Sequence, residues 1–249
     1  MDVDVVTLPA GDNYIYCIVA GNEAIVIDAG DARPVLRLIE KRKLALLAIL
    51  STHHHADHTG GNSILKEKTR CTVIGGDRRS ADIDRIVADG EELTIGPFTI
   101  GCIATPGHTR GSFTFHLPQC DGLFTGDTLF YAGCGRLFEG TAGELQTSLT
   151  TLCAFPPSTA IYCGHEYTLD NLAFARSVEA DNQALLERAT AVGLRLHATD
   201  VYGPATLAEE LATNPFLRTG SATIRKSLGL SDAADATVFE ELRRRKNCF

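Results

Sequence analysis

The segment Thr52-His53-His54-His55-Ala56-Asp57-His58 constrains this chain more than any other. It follows closely on residues 46–50, a continuous apolar run that predicts a buried strand. Imidazole and carboxylate are the donors that suit zinc, iron and manganese. His53, His55, Asp57 and His58 place four of them within six residues. A fold that accepts this segment must bury a strand and then open at its carboxyl end, where loops from other strands converge. In an extended segment, alternation puts His53, His55 and Asp57 on one side. His58 is then expected to turn inward as the chain bends toward Gly60-Gly61.

Three further donors are expected at the ends of other strands. His108 follows Thr105-Pro106-Gly107, just after the apolar run 98–103. Asp127 follows Leu123-Phe124-Thr125-Gly126, and His165 follows Ile161-Tyr162-Cys163-Gly164. A glycine precedes each, and glycine permits a sharp turn. The remaining histidines read differently. His116 on a strand and His197 in a helical stretch read as ordinary packed or surface residues, and His54 alternates away from its neighbours toward other protein groups or solvent. The clustered set reads as a metal site, because its spacing carries a mechanism.

The chain around these donors is organised in two parts. Residues 3–8, 14–19, 24–28, 46–50, 72–74, 93–95, 98–103, 112–117, 123–125 and 159–163 read as strands, the last of these closing the series. Ala20-Gly21-Asn22-Glu23 is a hairpin signal, and Gly96-Pro97 marks a turn. Helices are expected from Pro34 to about Arg42, after Gly60-Gly61 through residues 63–68, and over 143–152. Beyond His165 the period becomes helical throughout, at 169–175, from 184 onward, and at 206–212, 221–228 and 233–246. The expectation is an α/β (α+β) first part followed by a small all-helical domain, divided as residues 1–167 and 168–249.

The length, 249 residues, suffices for a core without staples. The 8 cysteines show no C-x-x-C pair and read mostly as small buried apolar residues. A net charge of −8 disfavours nucleic acid as a partner, and means that an anionic substrate needs a local basic patch. No stretch approaches a membrane span, and residues 1–10 lack a basic segment followed by an apolar run. The expected setting is therefore the cytoplasm.

The T-H-x-H-x-D-H pattern, completed by His108, Asp127 and His165, resembles the metallo-β-lactamase superfamily. That resemblance implies an αββα sandwich with two divalent metals, zinc foremost and iron or manganese as alternatives. It implies His53, His55 and His108 on one metal, Asp57, His58 and His165 on the other, and Asp127 bridging them. Asp28, within Ile27-Asp28-Ala29-Gly30, matches an early Asp motif of the superfamily and implies an orienting contact behind the ligands. Read alone, it serves equally as a turn-forming Asp.

Further segments are similar to the glyoxalase II (hydroxyacylglutathione hydrolase) family. They are residues 133–142 (GCGRLFEGTA), Gly164-His165-Glu166-Tyr167-Thr168 with Asn171-Leu172 and Phe174-Ala175, Asn214-Pro215-Phe216-Leu217-Arg218, and the terminal residues 242–249. The resemblance covers essentially the whole chain. It implies a monomer that hydrolyses S-2-hydroxyacylglutathione, usually S-D-lactoylglutathione, to a 2-hydroxy acid (D-lactate) and glutathione in methylglyoxal degradation. It further implies a hydroxide shared between the metals, with Asp57 and Asp127 as catalytic carboxylates. Glutathione contacts carry over onto Arg136, Tyr167, Arg243 and Lys246, whose cationic members suit the peptide's two carboxylates. Read alone, the run 243–246 would favour its own helix C-terminus. At Phe138 many members carry tyrosine, some have lysine at Arg136, and Ala56 replaces a bulkier residue. The rival enzyme is a glutathione persulfide dioxygenase, which would usually lack the helical tail. The non-enzyme rival is a metal- or glutathione-binding module without turnover.

Overall fold

The computed structural model describes residues 3–199 and 201–249. Met1 and Asp2, the first residues of the stretch read above as lacking a leader, lie outside them. The chain forms two compact units, each discontinuous in sequence. One comprises Met1–Ala104, Gly111–Gly126 and Tyr162–Glu166, and the other Thr105–Arg110, Asp127–Ile161 and Tyr167–Phe249.

The first unit holds a sheet whose strands lie in chain order: Asp4–Ala10, Asn13–Ala20, Glu23–Ile27, Ala45–Ser51, Thr72–Gly75 and Arg85–Ile86. The first three pair antiparallel. Gly21, at φ 62°, closes the expected hairpin through a two-residue loop. The strands from Glu23–Ile27 onward pair parallel. Parallel neighbours need crossovers, which the helices Ala32–Arg42 and Asn62–Thr69 supply. Asp31 caps the first of them by accepting from Arg33 N.

Alternation along Asn13–Ala20 sorts its side chains onto two faces. Ile15, Cys17 and Val19 share one core with Val26, Ile49 and Val73 of the sheet and with Ala32, Val35 and Leu65 of the two helices. Tyr16 points the other way. Its ring centroid lies 5.3 Å from those of Phe124 and Tyr162, and its hydroxyl donates to the Cys163 carbonyl at 2.6 Å. Such aromatic pairs contribute about 0.5–1.5 kcal/mol each beyond their buried area. Phe124 and Tyr162 belong to a second sheet, in which Glu92–Ile95, Phe98–Ala104, Phe113–Leu117 and Gly122–Gly126 are successive antiparallel neighbours. Two sheets face to face with helices against the outer side of the first give the expected sandwich.

The second unit is mainly helical. Its helices are Ala142–Leu152, Thr168–Val178, Gln183–Ala198, Leu207–Thr213, Ala222–Leu228 and Asp235–Asn247. Thr141 with Glu144, and Thr206 with Glu209, form capping boxes that satisfy the first-turn amides of two of them. Phe174, Phe216 and Phe239 pack in series, at 6.0 and 5.6 Å between centroids. A two-stranded hairpin, Leu129–Phe130 with Gly133–Cys134, completes the unit.

Three features depart from expectation. Residues 159–163 are not the last strand, because Ala205–Thr206 pairs with Ala160 and Ile161. Arg85–Ile86 and the hairpin strands are two residues each, too short for any periodicity to register. The segment after the strand Ala45–Ser51 is not extended through Asp57, because Ala56–Thr59 is a helical turn.

Candidate metal centre

That helical turn changes how the first donors are placed. The chain leaves the strand Ala45–Ser51 with Ser51, Thr52 and His53 buried. His55, at φ −60° and ψ 145°, precedes the turn. Asp57 and His58 therefore reach their positions by helical rotation rather than by strand alternation. The turn packs so closely on residues 28–31 that a Cβ on Gly30 would lie 1.9 Å from the Asp57 carbonyl oxygen. Only glycine fits there.

Asp28, 3% exposed and at φ 54°, sits behind this segment. Its carboxylate accepts from Thr52 N at 2.8 Å and from Thr52 Oγ1 at 2.7 Å. His58 Nδ1 lies 2.9 Å from the same carboxylate. A carboxylate only accepts, so His58 carries its proton on Nδ1 and presents Nε2 as the unprotonated nitrogen. Thr52 Oγ1 has given its hydrogen to Asp28. It therefore accepts from His53 Nδ1 at 3.1 Å, which leaves His53 Nε2 unprotonated as well. One buried carboxylate thus sets the tautomers of two histidines, the arrangement that orients metal-binding imidazoles.

His58 Nε2 faces His165 Nε2 at 3.2 Å, and Asp57 Oδ2 lies 3.6 and 3.4 Å from these two nitrogens. Donor atoms of Asp57, His58 and His165 all fall within 4.8 Å of one another. His53 Nε2 lies 3.0 Å from His55 Nδ1, and the His53 and His58 rings are 4.2 Å apart. The hydrogen bond with His165 holds the Asp57 carboxyl well below the usual carboxylate range. The nearby His58 and the Asn13 amide outweigh, with it, the opposing effect of burial. Asn13 Nδ2 donates to Asp57 O at 3.1 Å and Oδ2 at 3.3 Å. Sequence reasoning missed Asn13, a strand-opening residue whose only local signal is a turn. An anionic carboxylate and two imidazoles with converging nitrogens make a donor set that fits a divalent cation.

His108 and Asp127 form a second pair. His108 is 3% and Asp127 9% exposed, and Nε2 lies 3.4 Å from Oδ2. His108 Nδ1 lies 2.8 Å from the Arg136 carbonyl oxygen, which fixes the Nδ1 proton and leaves Nε2 toward Asp127. Of the three glycines expected at turns, Gly107 (φ 149°) and Gly126 (φ 47°) take positive φ, and Gly164 does not. His54 turns to Asp77, with Nδ1 3.2 Å from Oδ2. His116 is half-buried on its strand, and burial lowers its pKa. His197 lies in the last turn of the helix Gln183–Ala198.

The residues expected to meet glutathione divide by exposure. Arg136 is exposed. Phe138, 65% exposed, sets its ring edge-on to His108 at 5.2 Å, and Tyr167 does so to Phe130 at 5.6 Å. Helical geometry splits the run 243–246 into two faces. Arg244 and Arg245 pair with Glu241, while Arg243 and Lys246, three apart, share the other face. Arg243 is buried and donates to the carbonyls of Cys134 at 2.7 Å and Gly135 at 3.3 Å, with its guanidinium over the Phe216 ring. Lys246 Nζ donates to Asp170 O at 3.2 Å and lies over the rings of Phe249 and Phe174. Burial lowers the Lys246 pKa, Asp170 opposes this, and the charges of Arg243 and Arg136 add to the lowering. Arg136 and Arg243 thus lie near enough to Lys246 for their charges to act on it. All described cysteines are free thiols. Burial pushes the Cys134 thiol up to about 11, which removes it as a nucleophile at neutral pH.

The model for the metallo-beta-lactamase superfamily matches residues 8–165, and that for the hydroxyacylglutathione hydrolase C-terminus matches residues 166–249. Proteins named hydroxyacylglutathione hydrolase from Brucella ovis and Brucella canis are each 48% identical over 244 residues. They cover 96% of this chain and 95% and 94% of their own lengths. Among solved structures, ETHE1 from Myxococcus xanthus is similar with a TM-score of 0.68 at 26% identity, over 98% of this chain and 99% of that one. TTHA1623 in a di-iron-bound form is similar at 0.63 and 25%, over 86% and 100%. The BLEG-1 B3 metallo-beta-lactamase, at 0.67 and 23% over 87% and 99%, speaks to the fold alone. With both family models and these relatives spanning nearly its full length, the chain belongs to the hydroxyacylglutathione hydrolase family of the metallo-beta-lactamase superfamily.

Proposed function

We propose that this protein hydrolyses S-2-hydroxyacylglutathione thioesters, with S-D-lactoylglutathione as substrate, to a 2-hydroxy acid and glutathione. The observation that carries the reading is the coexistence of a metal-type donor set, Asp57, His58 and His165, with two neighbouring cations, Arg136 and Lys246, in a chain 48% identical to named hydroxyacylglutathione hydrolases. The proposed cofactor is a pair of divalent metals, zinc in the first instance. His53, His55 and His108 would hold one, Asp57, His58 and His165 the other, and Asp127 both. The di-iron form of TTHA1623 supports two ions in such a fold. Residues 1–167 would act as the catalytic domain and 168–249 as the glutathione-binding domain, in a cytoplasmic monomer that removes methylglyoxal-derived thioesters.

Two such cations, when bound, supply Lewis-acid chemistry: they lower the pKa of water from about 15.7 toward roughly 7 and polarise a carbonyl oxygen. The chain's own residues do the rest. Asp57, anionic and steadied by Asn13, accepts a hydrogen bond from the attacking water and orients it. Asp28 keeps His53 and His58 in the tautomers that leave Nε2 unprotonated. Arg136 and Lys246 bind the carboxylates of glutathione, and Arg243 braces the main chain ahead of Arg136. The exposed rings of Phe138 and Tyr167 cover apolar parts of the substrate. The leaving thiolate has an ordinary pKa of about 8.5, so no separate strong acid is required.

The test is hydrolysis of S-D-lactoylglutathione by purified protein, with metal content measured on the same sample. Loss of the thioester at two metals per chain, abolished in Asp127→Ala, supports the reading. No hydrolysis at full metal occupancy overturns it and directs the search to persulfide oxidation.

A further inference from the structure

The hairpin between Asp127 and Arg136 has its main chain held by side chains from the helical tail. The Phe130 carbonyl accepts from Asn214 Nδ2 at 3.3 Å, and the Tyr131 carbonyl from Asn171 Nδ2 at 3.0 Å. Ala132 N donates to Glu210 Oε2 at 2.8 Å. The Gly133 carbonyl accepts from Asn214 Nδ2 at 2.9 Å, and those of Cys134 and Gly135 from Arg243. Six successive residues are thus fixed by four side chains, each at least 40 positions from the group it holds.

The centre of this array is Glu210, 0% exposed. One carboxylate oxygen pairs with Arg188. The other accepts from Ala132 N and from Asn214 Nδ2 at 3.0 Å. Arg188 also donates to Thr213 Oγ1 at 2.6 Å. Ala132 stands at φ 55°, a left-handed conformation that a residue with a Cβ adopts at a cost unless something holds it. Glu210 holds it.

The hairpin's two ends carry Asp127 and Arg136, and its last turn leaves no slack. A Cβ on Gly135 would lie 1.9 Å from the Asp127 carbonyl oxygen and 3.1 Å from His108 Nδ1. The Arg136 carbonyl is the acceptor for that Nδ1. A shift of the hairpin therefore moves Asp127 and removes the bond that fixes the His108 tautomer. We infer that Glu210, buried against Arg188 in the helical tail, is a positioning residue for the ligand pair His108 and Asp127. This rests on the reading of those two residues as metal ligands. The tail then has a second task besides contacting substrate.

The test uses the full chain and zinc alone. The affinity of each of two zinc ions is measured by chelator competition, together with the melting temperature of the metal-free protein. Glu210→Gln is expected to weaken the zinc on His108 by about tenfold or more, the scale seen when groups behind ligands are removed, and to weaken the other, which shares only Asp127 with the hairpin, less. Glu179→Gln is the control. It disturbs a different buried pair of the tail, with Arg218, and is expected to lower the metal-free melting temperature without moving either zinc affinity. Where Glu210→Gln does not fold, Asn171→Ala removes one hairpin bond without stranding a charge, and the same zinc is expected to weaken. Unchanged zinc affinities in the hairpin variants, or equal weakening in Glu179→Gln, overturn the inference. Asp127→Ala separates the two levels: if it keeps both zinc ions, the ligand reading is at fault, and if it loses one while the hairpin variants lose none, only the inference fails.

Discussion

Residues 52–58 and residues 127–136 both carry metal-type donors at the end of a strand, yet they are held in place by opposite means. The first segment leaves a strand buried on both faces and turns once as a helix. It rests on one buried carboxylate, Asp28, which directly follows the neighbouring strand Glu23–Ile27. The second has two-residue strands and takes its shape from Asn171, Glu210, Asn214 and Arg243. The difference teaches that one half of the proposed ligand set can be preorganised by the sheet while the other depends on helices much later in the chain. Damage to the tail should then reach His108 and Asp127 and spare Asp57, His58 and His165.

The largest effect expected is at the buried pair. Arg188→Met strands the Glu210 carboxylate, and breaking such a pair typically costs about 3–5 kcal/mol. Urea unfolding of the metal-free protein should show a loss of that order. Replacing both partners with apolar residues should restore much of the stability but not the hold on Ala132. Equal stability in the single variant would break the comparison. A smaller loss is expected in Asp28→Asn, because an amide cannot accept from Thr52 and His58 as the carboxylate does. An unsatisfied buried donor costs about 1–3 kcal/mol. Zinc affinity should fall about 10- to 100-fold, this time through His53 and His58, as chelator competition would report. An Asp28→Asn effect confined to His108 and Asp127 would contradict the division.

The smallest effect concerns substrate. Lys246 has its pKa lowered from the ordinary 10.5 by burial first, with Arg243 and Arg136 adding to it. A lysine with a lowered pKa loses its charge at a lower pH than usual. KM for S-D-lactoylglutathione should therefore begin to rise, with pH, below the ordinary lysine range, while kcat changes little. Lys246→Arg keeps its charge to a much higher pH and should shift that rise upward, with KM altered several-fold at most near neutrality. A KM profile that is flat in both proteins would remove Lys246 from the binding patch.

Much of the first region was legible in the sequence. The dense run His53, His55, Asp57, His58 and the apolar run before it are local patterns, and the order of strand signals gives the strand-rich first part, while the sandwich comes from the resemblance. Asp28, implied by the resemblance to have an orienting contact, is bonded to Thr52 and His58. What could not be read has physical reasons. The turn Ala56–Thr59 is too short for a helical period to repeat, so alternation placed Asp57 by the wrong geometry. Asn13 contacts Asp57 across 44 positions, and Glu210 reaches Ala132 across 78. A side chain bonding to distant main chain leaves no spacing to detect. Arg243, given a glutathione contact by the resemblance, is buried and bonded to the Cys134 and Gly135 carbonyls. Sequence could tell that 243 and 246 share a helical face, not how far each is buried.

The most direct measurement is anomalous diffraction from crystals of the zinc-loaded protein. The account predicts two peaks about 3.5–4 Å apart. One should be bounded by Asp57, His58 and His165, the other by His53, His55 and His108, with Asp127 facing both. A single peak at full zinc loading, or a second peak away from His108 and Asp127, would contradict it.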